Sequence, residues 1–218
     1  MKVRLALWLV LAAFGIAHAA EPAQTWSIDP AQSQVQFGVR KFWFAHVRGT
    51  FPALSGTLHR IDTHIGADLG RVHADLAVDG LQMDDADERT RALGTGFFDA
   101  VRFPSIHFES DPFPMGELAA GGTLRGMLSL HGERHPVTLV LQPSDCPRQP
   151  LQCVIRVRGA ISRSAFGMRG WRGVLSDKVE LDLRIVIVLP SSMNAAPPDL
   201  RPDVGVPASR TSPRPPAA

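Results

Sequence analysis

Apolar and polar residues alternate along most of the chain, which is the pattern of half-buried β-strands. The segment SQVQFGV puts Val35, Phe37 and Val39 on one side of an extended backbone and glutamines on the other. The same alternation returns in KVELDLRIVIV, residues 178–188. Such runs, separated by Gly, Pro and Asp, predict an all-β, antiparallel domain built as a sandwich or a barrel. Further runs lie near residues 53–61, 70–79, 105–110, 122–130, 136–142 and 153–160.

Two segments add detail to this picture. DDADERTRAL, residues 84–93, is the stretch that favours a helix, and either Asp84 or Asp85 can serve as its N-cap. SLHGERHPVTLVL indicates a hairpin that turns at Gly132. We therefore expect one short helix beside the strands.

The two ends of the chain have a different composition. Residues 1–19 combine two basic residues, an apolar stretch and the sequence Ala-His-Ala, which predicts a signal peptide that is cleaved after export to the periplasm. The apolar stretch is too short for a stable membrane span. Residues 190–218 contain eight of the 18 prolines and few large apolar residues, which predicts a disordered tail. Residues 20–189 then form a single domain.

Charge limits the choice of partner. The chain has 23 basic and 21 acidic residues, and loss of Lys2 and Arg4 with the leader leaves 21 of each. Nucleic-acid binding depends on neutralising many phosphates, so a mature chain without net charge argues against such a partner. A local series of arginines is typical of a solvated strand face, and alternatively of a rim that attracts an anionic headgroup. The series comprises Arg156, Arg158, Arg163, Arg169 and Arg172.

Few residues are arranged for covalent chemistry. In an oxidising compartment Cys146 and Cys153 predict a structural disulfide, since their spacing is not the Cys-x-x-Cys of redox pairs. The chain has no Gly-x-Ser-x-Gly turn and no His-Glu-x-x-His helix. His131 and His135 straddle a turn, where ordinary hairpin residues are favoured over a metal site. The sequence therefore predicts no catalytic site and no metal site, and a protein that is not an enzyme.

Several blocks taken together resemble the YceI-like family. They run in order from about Trp26 to Val188, and the combination is more specific than any single block. The resemblance implies an exported, extended eight-stranded antiparallel barrel of lipocalin-like form. It also implies a long apolar tunnel that holds an isoprenoid lipid, such as a prenylated quinone or a polyprenyl phosphate. The blocks are WSIDPAQSQVQFGVR, HVRGTFPALSGTL, GFFDAVRFPSIHFES, GMLSLHGERHPVTLVL, and GAISRSAFGM followed by LSDKVELDLRI.

The resemblance directs attention to the side chains that would meet such a lipid. An eight-stranded barrel is either filled by its own side chains or left open for one ligand. We predict that five residues lie on or beside the tunnel wall, with Phe97 or Phe103 behind them, and an ordinary core remains the alternative for each. The five are Phe37, Phe98, Phe108, Phe166 and Met168.

Two positions depart from the family pattern. Relatives often carry a histidine where this chain has Lys41, and show Arg-Asp-x-His-Leu where it reads ERTRAL, which contains Arg91. Both departures keep or add positive charge and remove an imidazole. We include Lys41 and Arg91 in the predicted ligand site.

Two classes of function follow from the resemblance. The first is a periplasmic carrier or scavenger of isoprenoid lipid, with a membrane redox protein as one candidate partner for a quinone. The second is an enzyme that acts on a tunnel-bound lipid, or a stress-induced protein whose ligand is incidental. The lack of a catalytic arrangement favours binding. The expected ligand is the lipid itself, with no other cofactor, and the sequence assigns no oligomeric state.

Overall fold

The computed structural model describes residues 24–42, 45–62 and 66–189. Within these ranges the chain forms twelve β-strands, two α-helices and two 3₁₀ turns, Val78–Gly80 and Pro150–Gln152. The strands are β1 (Thr25–Ile28), β2 (Gln34–Lys41), β3 (Ala45–Phe51), β4 (Ser55–Asp62), β5 (Asp68–Ala77), β6 (Ser105–Ser110), β7 (Phe113–Pro114), β8 (Gly122–Leu130), β9 (Glu133–Leu141), β10 (Ile155–Ser162), β11 (Leu175–Ile185) and β12 (Ile187–Val188). The helices are α1 (Ala86–Leu93) and α2 (Glu117–Ala120). The predicted leader and tail lie outside the described residues.

The strands pair antiparallel and close into a barrel. Short interruptions divide four longer strands, so β1 with β2, β3 with β4, β6 with β7 and β11 with β12 each form one run of the barrel. Ile187 of β12 pairs with Ile28 of β1, while Arg184 of β11 pairs with Gln34 of β2. The last run therefore lies beside the first. The twelve strands of the described residues reduce to eight runs, and the predicted antiparallel barrel is confirmed.

Hydrogen bonds at Val186 hold the bend between β11 and β12. The N–H of Val186 donates to Ser33 Oγ at 2.9 Å, and its carbonyl accepts from the N–H of Asp29 at 2.8 Å. Ser33 is fully buried, so these bonds satisfy backbone groups that the interrupted ladder leaves without partners. The bend allows one run to pair with both β1 and β2.

Strand alternation gives the barrel an apolar interior. In β10, Ile155, Val157 and Ile161 are buried, whereas Arg156 and Arg158 face solvent. Full burial of such an aliphatic side chain contributes about 1.5–3 kcal/mol. The period-two pattern read from the sequence therefore corresponds to the inner and outer faces of the barrel.

The helix predicted at residues 84–93 is present as α1. The Asp85 carboxylate accepts hydrogen bonds from the N–H groups of Asp87 at 2.8 Å and Glu88 at 3.0 Å, which identifies Asp85 as the N-cap. The expectation of one short helix was wrong because α2 is a second one. Four residues are too few to show a helical period in the sequence. Neither helix of the described ranges has the length and apolar content to cross a bilayer.

Two local predictions are also confirmed. The β8–β9 hairpin turns at His131 and Gly132, whose φ angles of 52° and 79° fit a type I′ turn. Cys146 and Cys153 form a disulfide with a Cα–Cα distance of 6.2 Å. The bridge closes a short loop between β9 and β10.

Candidate functional site

The barrel encloses a cavity of about 210 Å³. All eight runs contribute apolar side chains to its wall, and the charged residues on the wall are Glu88, Arg91 and Arg163. Arg91 and Trp171 line the cavity and are also exposed to solvent, so they mark an opening at one end. We refer to this opening, formed by Lys41, Glu88, Arg91 and Trp171, as the mouth.

An aromatic cluster forms one part of the wall. The rings of Phe37, Phe51 and Phe98 contact one another with centroids 5.5–5.9 Å apart. Gly49 pairs with Phe37 across β2 and β3 and leaves room for that ring, since a Cβ at this position would lie 2.4 Å from Phe37 Cζ. The missing side chain of Gly49 therefore allows an aromatic wall at this point.

The structure separates the residues predicted to meet a ligand into two groups. Phe37, Phe98, Phe108 and Met168 line the cavity. Phe166 is 2% exposed and lies beside the wall, where its ring meets that of His135 edge to face at 5.2 Å. Their contact with a ligand stays a prediction.

The two phenylalanines expected behind the wall occupy different places. Phe97 lines the cavity. Phe103 packs against the ring of His131, with centroids 4.8 Å apart. Phe103 is therefore the one that supports the barrel from the hairpin side.

Most of the wall consists of aliphatic side chains that motif-based reasoning did not name. They come from inward positions of the strands, so the same period-two alternation that predicted strands could have identified them. Representative lining residues are Leu58, Leu76, Ile106, Leu128, Leu139 and Leu181.

The mouth carries two cations around one aromatic ring. Lys41 Nζ lies 3.0 Å from Glu88 Oε1 and 5.4 Å from the centroid of the Trp171 ring. The Arg91 Cζ lies 5.5 Å from the same centroid. Arg91 is on the cavity wall and Lys41 is next to it, so the structure brings together the two cations that the sequence singled out. No local pattern pointed to Trp171, because its place at the mouth depends on contacts with residues far away in the chain.

The charges at the mouth also act on the helix cap. Hydrogen bonding from the backbone N–H of Glu88 lowers the pKa of Asp85 below its usual value, with smaller contributions from the charges of Arg91 and Lys41. Asp85 therefore stays ionised at neutral pH and adds a negative charge beside the mouth.

Arg163 is a buried cation that binds the protein's own backbone. It is 5% exposed, and its guanidinium donates hydrogen bonds of 2.7–3.1 Å to four carbonyl oxygens. Burial lowers its pKa from the usual value, while the charge of Asp177 opposes that shift. The guanidinium remains a cation at neutral pH. The acceptors are Met168, Gly170, Leu175 and Ser176.

The arginine series seen in the sequence does not form one continuous rim. Arg156 pairs with Asp145 at 2.7 Å, and Arg158 pairs with Asp182 at 3.0 Å, both on the outer face of the barrel. Arg163, by contrast, points inward. The interpretation of the series as a solvated strand face therefore holds for Arg156 and Arg158.

The polar clusters in the described part of the chain make structural contacts. Ser162 Oγ donates to the Asp177 carboxylate, which also accepts from the N–H of Ser164 at 2.9 Å. His131 Nδ1 hydrogen-bonds the carbonyl oxygen of Phe166 at 3.0 Å. Residues 24–42, 45–62 and 66–189 contain no group of three His, Cys, Asp or Glu side chains that could hold a metal ion.

Solved structures share this architecture. BcnA of Burkholderia cenocepacia is 21% identical, with a TM-score of 0.56 over 74% of this chain and 99% of its own. A polyisoprenoid binding domain from Saccharophagus degradans, implicated in plant cell wall breakdown, is 17% identical, with a TM-score of 0.55 over 76% of this chain and 98% of its own. The YCEI protein of Campylobacter jejuni is 16% identical, with a TM-score of 0.54 over 69% of this chain and 90% of its own.

The sequence comparison points the same way. No curated protein sequence matches the chain. The profile of the YceI-like domain matches residues 26–187, which is nearly the whole of the described barrel. The chain therefore belongs to the YceI-like family.

Proposed function

We propose that this protein binds an isoprenoid lipid in its barrel and carries or scavenges it in the periplasm. The observation that supports the proposal most directly is the cavity, whose wall is apolar along all eight runs and whose charges at the opening suit a polar head. The polyisoprenoid binding domain of Saccharophagus degradans has the same fold, which adds support for this class of ligand.

Transfer of an apolar chain from water into such a cavity is favourable without any reaction. Each buried CH₂ group contributes about 0.8 kcal/mol, so a chain of several isoprene units gains enough to bind tightly after its ordering entropy is subtracted. The wall supplies this term through aliphatic and aromatic side chains alone. Carriage, and not turnover of the lipid, is therefore the function that we propose.

The cellular setting is a second part of the proposal. We propose that residues 1–19 direct export and that the mature chain acts in the periplasm. If the lipid is a prenylated quinone, a membrane redox protein is the partner expected to donate or receive it. Intact mass measurement of the exported protein tests this part, and the expected mass begins at Ala20. A mass that retains the leader would contradict it.

The lipid itself is tested by native purification, organic extraction and mass spectrometry. The parent protein is expected to release an isoprenoid lipid in near-stoichiometric amount. Phe108→Asp places a carboxylate on the cavity wall, where water can hydrate it once the ligand has left, so the variant is expected to fold and to lose lipid. Val140→Asp is the matched control, because Val140 on β9 is exposed.

The outcomes separate binding from ordinary core packing. A folded Phe108→Asp protein without lipid, beside a Val140→Asp protein that retains it, supports the proposal. If Phe108→Asp unfolds, Phe98→Asp is the second variant at the wall. If both variants fold and retain the lipid, or if the parent releases none, the proposal fails.

A further inference from the structure

We infer that the mouth selects a ligand with an anionic head, a phosphate or a carboxylate at the end of an apolar chain, and that Arg91 binds it. The inference rests on the proposed function, because it assumes that the chain of the ligand occupies the cavity. It adds the chemistry of the head and the residue that recognises it.

The first step is the charge balance at the mouth. Glu88 is 3.0 Å from Lys41, so these two charges neutralise each other. Among the described residues the Arg91 side chain has no carboxylate partner, and it lies against the Trp171 ring. The four residues of the mouth therefore carry one net positive charge, and the Asp85 carboxylate beside them acts on Arg91 through space but forms no ion pair with it in the described part of the chain.

The second step concerns hydrogen-bond donors. A guanidinium has five N–H groups in the plane of the group. A cation–π contact with Trp171 leaves these in-plane donors open to another partner. Arg163, the other arginine on the wall, donates to four backbone carbonyls and has little capacity left for a ligand. Arg91 is therefore the cavity arginine available to a head group.

The third step is geometry. Arg91 both lines the cavity and reaches solvent, so a chain inside the barrel would leave its head at this residue. A planar guanidinium binds phosphate or carboxylate through two parallel hydrogen bonds, which an alcohol or a quinone carbonyl cannot match. The position and the donor pattern both favour an anion.

Trp171 strengthens this arrangement. Its φ of 53° is unusual for a residue with a side chain, and its carbonyl accepts from the N–H groups of Val174 at 3.1 Å and Leu175 at 3.0 Å. The turn holds the indole beside Lys41 and Arg91, where it displaces water from one side of both cations. Reduced hydration makes an ionic contact at this site stronger than one on an open surface.

The test compares farnesyl phosphate with farnesol, which share a chain and differ in the head. Delipidated protein is titrated with each compound below its aggregation concentration, by calorimetry. The parent is expected to bind farnesyl phosphate at least about 10-fold more tightly. In Arg91→Gln this preference should fall to within about 3-fold, chiefly because farnesyl phosphate loses affinity. Palmitate and hexadecanol, compared in the same way, distinguish a carboxylate head from a phosphate head.

Arg40→Gln is the matched control. Arg40 is next to Lys41 in β2, faces outward and carries the same charge, so its replacement changes the net charge equally without touching the cavity. Loss of the preference in Arg91→Gln alone supports the inference. Equal loss in both variants, or a parent that prefers farnesol, overturns it. If neither isoprenoid binds the parent, the proposed function fails and the inference fails with it.

Discussion

Two arginines line the same cavity and have opposite roles in the structure. Arg163 is almost fully buried, and four backbone carbonyls accept its hydrogen bonds. Arg91 is exposed at the mouth and contacts the face of one indole ring. A buried charge needs hydrogen-bond partners within the protein, whereas an exposed charge is solvated by water and remains accessible to a ligand. The surroundings of each guanidinium, and not its chemistry, separate a structural cation from a binding one.

The segments that carry these arginines differ in the same way. The connection between β10 and β11, residues 163–174, buries Phe166 and Met168. By contrast, α1 has no buried residue. The connection meets the chain that follows α1, where the N–H of Gly170 donates to the carbonyl of Gly96 at 2.8 Å. We therefore expect mutations at the buried residues of the connection to change global stability, and mutations at the α1 residues of the mouth to change ligand selection.

The largest expected effect comes from Phe166→Ala. Phe166 is fully packed beside the cavity wall, so its truncation creates new empty space and should lower the free energy of unfolding by about 3–5 kcal/mol. Phe98→Ala only enlarges a cavity that already exists, and we expect a smaller loss. Urea unfolding followed by circular dichroism measures both. Equal losses would show that the two phenylalanines have the same surroundings.

Arg163→Met tests the buried cation directly. The change leaves four carbonyl oxygens without their donor, and we expect the free energy of unfolding to fall by about 2–3 kcal/mol. Arg91→Met is the control and should stay within about 0.5 kcal/mol of the parent, because no backbone group depends on it. The same urea unfolding experiment applies. A small effect for Arg163→Met would mean that water replaces its hydrogen bonds.

Local chemistry explains why so much of the barrel was predictable. Alternation depends only on residues two apart, so it located most of the strands to within a few residues and placed the turn at Gly132, but it did not identify β1, β3 and β7. An Asp that precedes a helix can accept hydrogen bonds from the N–H groups two and three residues later, and Asp85 does so here. These features need no knowledge of distant residues.

The rest depends on contacts between distant parts of the chain. Trp171 meets Lys41 and Arg91 across 130 and 80 residues of sequence, so no local pattern predicts the mouth. The bend at Val186 depends on Ser33, which is 153 residues away. The alternation of residues along a strand identifies which side chains face inward. It could not place Phe166 beside the wall, because that residue lies in a loop.

A smaller, pH-dependent effect is expected from Asp177, which anchors the start of the connection. Hydrogen bonding from the Ser162 hydroxyl lowers the pKa of Asp177 below its usual value, and Ser164 adds to the shift. The ionised form is favoured in the folded state, so its contribution is complete above about pH 4 and is lost as pH falls through the lower folded-state pKa. Because the carboxylate is exposed, we expect less than about 1 kcal/mol.

Asp177→Asn isolates this contribution. The amide cannot gain a proton in this range, so the variant should lose less stability than the parent between pH 6 and pH 3. Urea midpoints at several pH values measure the difference. Parallel pH profiles for the two proteins would contradict the assignment.

The smallest expected effect comes from Asp85→Ala, at the N-cap of α1, the helix that carries Arg91. The variant loses the cap that accepts from the N–H groups of Asp87 and Glu88, which leaves the first turn of α1 without its side-chain partner. Since α1 buries no residue, the loss should remain local. Hydrogen exchange should accelerate at the amides of Asp87 and Glu88, while the urea midpoint of the whole barrel stays that of the parent. Asp84→Ala, which removes a neighbouring charge but no cap, should leave both unchanged. A lower global midpoint in Asp85→Ala would show that α1 supports the barrel, and the contrast between the two arginine segments would then have to be abandoned.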